Sequence, residues 1–302
     1  MDLNMLTYYL LYIISLIVTG VNTTYLYKKF QLTAGTGLAA SILYMIVNGV
    51  ISAILPAVVL LFSPESFETT VYSLIFAAAT VIVAALSTIL MFKAYEKGQI
   101  AIANICTTVG GIVLQCAWGV IFLKEDFSVK DLVAIVIMLI AVFLIMDRNG
   151  EKADKKLIWL YVLIVLCSCA VNMFSKQHQV ETNFATVNTL SYSIWIGVIR
   201  TVLFAACIPY VLIKQGKNAF RFPKNAVGYA AGSSVFSGGC YIIQLFTAVV
   251  LPIVITSPLS TGVGILMSTL LPWFVYHEKM NKKQIAGVSL SLIGSVLFLI
   301  TV

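Results

Sequence analysis

Long apolar runs alternate with short polar breaks along this chain. A helix rises about 1.5 Å per residue, so about 20 apolar residues cross the ~30 Å hydrocarbon core of a bilayer. On that scale the pattern predicts helices over residues 6–26, 34–62, 69–92, 100–123, 129–146, 157–175, 187–213, 225–248, 252–275 and 283–301. The breaks carry turn and charge signals: Lys28-Lys29, Ser63-Pro64-Glu65, Glu96-Lys97-Gly98, Lys124-Glu125-Asp126, Asp147 to Lys156, Gln177 to Asn183, Gln215 to Lys224, and His277 to Asn281. Between the eighth and ninth runs only Leu251-Pro252 marks a turn. Runs of about 10–14 residues would suit the core of a soluble protein, and these are longer.

The two halves of the chain match at a nearly constant offset. Pro56 and Pro209, Thr108 and Thr261, Gly111-Ile112 and Gly264-Ile265, Glu125 and Glu278, Lys130 and Lys283, and Leu139-Ile140 and Leu292-Ile293 all lie 153 positions apart. Val21-Asn22 and Val171-Asn172 match at 150. Matches between leucines would mean little in such a sequence, but paired Pro, Gly and Glu point to a duplication. The expected organisation is a first repeat over 1–150 and a second over 151–302, with five helices in each. An odd helix count makes the second copy enter the membrane from the opposite side. The fold class predicted is therefore all-α integral membrane, ten transmembrane helices as two inverted five-helix repeats, an arrangement that suits alternating access to a midplane site.

Composition agrees and narrows the function. Hydrophobic residues make up 60% and charged residues 10%, with a mean hydropathy of +1.00, against roughly 25% charged in a soluble domain. The net charge of +7 brings no basic run interleaved with aromatics, so nucleic acid is not an expected partner. Of the 19 Lys and Arg, 15 fall in the loops after odd-numbered runs, three (Lys124, Lys130, Lys176) after even-numbered runs, and Arg200 within a run. The positive-inside rule then places odd loops in the cytoplasm and both termini outside. Met1-Asp2-Leu3-Asn4 carries no basic n-region, so the first run is expected to be a retained helix. The six cysteines all sit in apolar runs and show no metal-ligand spacing. No cofactor is expected.

From Phe92 to Met146, with a short loop at Gly98, a fourth helix ending in Leu123-Lys124-Glu125, and a closing helix, the chain resembles the drug/metabolite transporter superfamily and its EamA-like ten-helix members. Tyr276-His277-Glu278 to Ile300 repeats the pattern. The resemblance implies helices 1–4 and 6–9 around a central cavity, with 5 and 10 peripheral. It also implies termini inside, against the charge bias, and the bias belongs to this chain. The sequence departs from the family in lacking a fourth-helix proline: Ile105 stands where the second half keeps Pro258.

Arg200 is the one charged residue that the hydropathy pattern puts deep in a run. An uncompensated arginine there costs at least ~2.5–3.5 kcal/mol, so it should face a wet cavity or a partner. Its planar fork suits a carboxylate or phosphate, and capping backbone carbonyls is the alternative. Asn22, Asn172, Asn104, Gln115, Tyr192, Tyr241 and Gln244 bring amide and hydroxyl groups to membrane depth, where they can bind a dehydrated solute or join helices to one another. Trp195 can line an apolar side of such a pocket or pack. Glu125 and Glu278, at helix ends with Lys130 and Lys283 nearby, read as caps or loop salt bridges.

These features predict a multi-pass cell-membrane carrier for a small polar metabolite, an amino acid or other carboxylate-bearing solute being favoured. A multidrug or cation exporter is the alternative. An intramembrane enzyme lacks an acid in any predicted helix core, and no Walker loop is present to use ATP. Partners expected are the solute, the bilayer, and a proton or sodium ion as coupling ion; monomer and homodimer both stay open.

Overall fold

The computed structural model describes residues 3–35, 37–96, 100–145, 157–216, 218–276 and 281–300. Among them all regular structure is helical: α1 Leu3–Asn22, α2 Lys28–Ala34, α3 Leu38–Leu61, α4 Val71–Glu96, α5 Ile100–Ile121, α6 Val129–Ile145, α7 Ile158–Val180, α8 Thr189–Ala205, α9 Ile208–Gln215, α10 Lys224–Val250, α11 Ile253–Tyr276 and α12 Lys282–Ile300. A π-helical turn, Thr23–Tyr27, joins α1 to α2, and α8 runs on into α9, so the segments form ten rods that correspond to the ten apolar runs. Seven of the described helices are long and apolar enough to cross a membrane.

Local signals explain the segment ends. Asn188 caps α8, its side chain accepting from Ser191 N at 2.8 Å. Ser128 and Asp131 form a reciprocal cap at the start of α6, with Ser128 N donating to Asp131 Oδ2 and Asp131 N to Ser128 Oγ. The matched prolines behave differently. Pro56 stays buried inside α3, whereas Pro209 falls in the first turn of α9, where its missing N–H leaves no bond unmade. Pro258, inside α11, cannot donate to the carbonyl of Val254, and Cys116 Sγ donates to that oxygen instead at 3.5 Å.

The chain divides into two compact units, each drawing on both sequence halves. The first comprises residues 1–17, 82–177 and 247–302; the second comprises 18–81 and 178–246. In the second unit α3 packs along α8. A Cβ on Gly49 would stand 2.5 Å from Thr201 Oγ1, and one on Gly197 would strike the backbone at Ala53. The two backbones are therefore in contact, as small residues at a helix crossing allow. In the first unit α6 packs on α12, and α5 on α11. Each of these three pairs joins helices that the 153-residue offset equates.

The helix α6 is apolar on its exposed side as well as on its buried one. Ala134, Ile135, Met138, Ala141 and Val142 are buried, while Leu132, Val136, Ile140 and Phe143 on the other side are exposed. A helix apolar all round suits an apolar solvent.

Candidate functional site

Helices α5, α7 and α11 of the first unit enclose an open cleft of about 330 Å³. Its walls follow helical spacing: Thr107, Thr108, Gly111 and Gln115 on α5; Ser168, Cys169 and Asn172 on α7; Ser257, Ser260, Thr261, Gly264, Ile265 and Ser268 on α11. Nine of these thirteen residues carry a hydroxyl or an amide, and none is ionised at neutral pH. The room comes from glycine, since a Cβ on Gly111 or Gly264 would meet nothing within 4 Å.

The cleft sits on the sequence repeat. Every α5 position lining it has its 153-offset mate lining it from α11: Thr107 with Ser260, Thr108 with Thr261, Gly111 with Gly264, and Gln115 with Ser268. The matches at Thr108 and Gly111 were legible as repeats; extending the offset to the hydroxyl and amide pairs would have identified the wall.

A charge cluster holds α11 in place beside the cleft. Lys124 adopts φ 54° as the chain leaves α5, which brings Glu125 against the start of α11. Glu125 Oε1 and Oε2 accept from the N–H groups of Ile253 (2.8 Å) and Val254 (2.9 Å), two of the donors that a helix start leaves unpaired. Lys176 Nζ lies 3.7 Å from Glu125 Oε1 and donates to the carbonyls of Ala248 (2.6 Å) and Leu251 (2.7 Å) at the end of α10. One buried cation and one carboxylate thus clamp both sides of the Leu251-Pro252 break.

This cluster corrects two expectations. Lys176 is not a loop cation, because α7 continues to Val180 and buries it; Arg200 is therefore not the only charge deep in a helix. Glu125 is a cap, as expected, and its cation is Lys176 on α7. No signal in the sequence pairs residues so far apart.

Of the residues singled out from sequence, Gln115 and Asn172 line the cleft. Asn104 lies on α5, and its side chain is outside the described residues, as is the structure of Glu278. The others belong to the second unit. Arg200 is half-buried on α8 and donates through Nη1 to Asn48 Oδ1, with the phenols of Tyr241 and Tyr44 within electrostatic reach. Among the described residues no carboxylate pairs with it. Asn22 is buried and ties α1 to α10 through Ser233 O (3.0 Å) and Ser237 Oγ (2.9 Å). Tyr192 is fully buried, stacked 3.8 Å from the ring of His178 and paired with Thr80 Oγ1 at 3.2 Å. Trp195 packs against Phe67 and, with Tyr241, against the core around Tyr192 and Leu245. Gln244 is half-buried on α10.

No family model matches the sequence, and no curated protein matches it. One solved structure, described only as the crystal structure of a protein, is similar in fold at a TM-score of 0.76 and 12% identity, covering 98% of this chain and 99% of its own. At that identity the likeness concerns the backbone path alone.

Proposed function

We propose that the chain is a secondary carrier of the drug/metabolite transporter type, a ten-span cell-membrane protein of two inverted five-helix repeats. It moves a small polar metabolite by alternating access, and an amino acid or other carboxylate-bearing solute is the favoured cargo. The observation that carries this reading is the cleft, whose uncharged polar wall is built from repeat-equivalent positions on α5 and α11. Paired halves around a polar hollow are what exchange of access requires. The pairing of α3 with α8 and of α6 with α12 supports the same relation.

Arg200 supports the choice of cargo. Its hydrogen-bond partner is the neutral amide of Asn48, so the guanidinium keeps its charge available for a carboxylate.

Uptake of labelled amino acids into proteoliposomes, wild type beside Arg200→Ala, tests the proposal. Losing a hydrogen-bonded charge contact of about 1.5–3 kcal/mol should lower the specificity constant for uptake by about 10- to 100-fold. If quaternary ammonium compounds move and amino acids do not, the cation-exporter reading replaces this one. The charge bias further places both termini outside, and single-cysteine labelling of either terminus from the cytoplasmic side would reverse that orientation.

A further inference from the structure

The second unit holds a buried histidine, His178, near the C-terminal end of α7. Its Nε2 lies 2.8 Å from Ser73 Oγ in the first turn of α4. That serine oxygen is already engaged. Thr70 Oγ1 donates to it at 2.8 Å, and Val187 N, in the connection from α7 to α8, donates to it at 3.1 Å. A hydroxyl oxygen has two lone pairs and one proton. With both lone pairs filled, Ser73 has its proton left to give, and His178 Nε2 is the atom placed to take it. The arrangement therefore requires a histidine whose Nε2 is bare. Nδ1 then carries the ring proton and faces the side-chain amide of Gln179 at 3.4 Å, an amide that can present either of its ends.

A second proton on the ring would set two donors face to face. Nε2–H would point at an oxygen with no free lone pair, and the Ser73 proton would lose its acceptor. Both residues are sealed from water, so the mismatch is relieved by withdrawing one of the donors to Ser73. Thr70 sits on the same turn and also accepts from Ser73 N at 3.3 Å. Val187 belongs to a connection without regular structure, which makes it the donor free to leave. The titratable groups around the ring are occupied elsewhere. On α8, Tyr192 stacks on the imidazole at 3.8 Å and pairs with Thr80 Oγ1. On α4, the Tyr72 ring lies at 6.2 Å, and its hydroxyl donates to Glu181 Oε2. Glu181, just past the end of α7, also accepts from Thr182 N and Asn183 N.

We propose that His178 is a proton-binding site that latches the α7–α8 connection: neutral, it accepts from Ser73 and holds Val187 in place; protonated, it releases that connection. Proton uptake and opening are linked, because the ring finds a partner for its second proton only once the latch has parted. The drive to open therefore follows the titration of an exposed histidine, near pH ~6.5. Above that pH protons leave the latch alone, and below it the opening constant rises about tenfold for each pH unit. The inference needs no cargo and stands apart from the carrier reading.

The test uses the purified full chain in detergent. Nitrogen NMR of histidine-labelled protein, in a His277→Gln background that leaves one ring to observe, should show Nε2 bare and Nδ1 protonated in mildly alkaline buffer. The opposite tautomer overturns the proposal. Hydrogen exchange at the Val187 amide, corrected for the intrinsic effect of pH on exchange, should give an opening constant that is flat in alkaline buffer and climbs about tenfold per pH unit in acid. His178→Gln keeps an acceptor oxygen near the place of Nε2 and takes up no proton, so its opening constant should stay within about twofold throughout. Ser73→Ala removes the acceptor of the Val187 N–H and should open that amide at least about fivefold at every pH. An amide unmoved by acid in the wild type overturns the proposal, and so does an acid response that persists in His178→Gln. An equal response at the Leu245 amide inside α10 marks general unfolding and overturns it as well. The tautomer and the wild-type pH series decide the matter by themselves where a variant fails to fold.

Discussion

Two cations sit inside helices of this chain, and their surroundings differ in kind. Lys176 meets two carbonyls and a carboxylate that is itself held by two backbone N–H groups. Arg200 meets the amide of Asn48. A buried charge whose every donor ends on protein oxygen is compensated, and it serves the fold by holding the α10–α11 break. A charge whose hydrogen-bonded partner is neutral retains the capacity to bind an anion. Residue type and depth alone do not separate the two, because the partners decide.

Breaking the compensated side has the largest expected effect. Glu125→Ala leaves Lys176 buried without its counter-ion and strips an acceptor from Ile253 N and Val254 N. It should destabilise the protein by about 3–5 kcal/mol, read as a shift in the unfolding transition in micelles. Adding Lys176→Met should restore at least half of that loss, and a double variant no better than the single one would show that the pair is not coupled. Next comes the α3–α8 crossing in the second unit. Gly197→Ala drives a methyl into the backbone at Ala53 and should cost about 1–3 kcal/mol. Gly264→Ala enters open space and should stabilise its helix by up to about 1 kcal/mol, so equal effects at the two glycines would contradict the packing described. Asn188→Ala removes the α8 cap and should cost about 1 kcal/mol in the same assay.

The smallest stability change sharpens the comparison most. Asn48→Asp gives Arg200 the counter-ion that Lys176 already has, at nearly the same shape. The unfolding transition should barely move, while amino-acid uptake falls severalfold because the solute's carboxylate must now compete with a resident one. Undiminished uptake would place the solute's carboxylate away from Arg200.

Much of the helical layout was legible in the sequence because hydropathy is a local property: ten apolar runs gave ten rods, and Leu251-Pro252 proved to be the break between α10 and α11. The 153-residue offset was legible too, from the identities of Thr108 with Thr261 and Gly111 with Gly264. What escaped is tertiary. Lys176 beside Gln177, His178 and Gln179 has the composition of a turn, and α7 carries them as helix because Glu125, Ala248, Leu251, Ser73 and Tyr192 supply partners from elsewhere in the chain. Asn22 and Asn172, equivalent in sequence, also part company, one bonded across to α10 and the other facing the cleft. Pro209 in the first turn of α9 and Pro56 within α3 show the same limit, since one residue type starts a helical segment in one context and lies inside one in the other.

The most direct test of the carrier reading is to fill the cleft without disturbing the fold. Gly111→Leu and Gly264→Leu place side chains where a Cβ meets nothing within 4 Å, so both variants should reach the membrane and unfold at or above the wild-type temperature. Labelled amino-acid uptake into proteoliposomes should nevertheless fall at least tenfold in each. Uptake at the wild-type rate with the cleft plugged on either side would contradict the assignment of this cleft as the path of the solute.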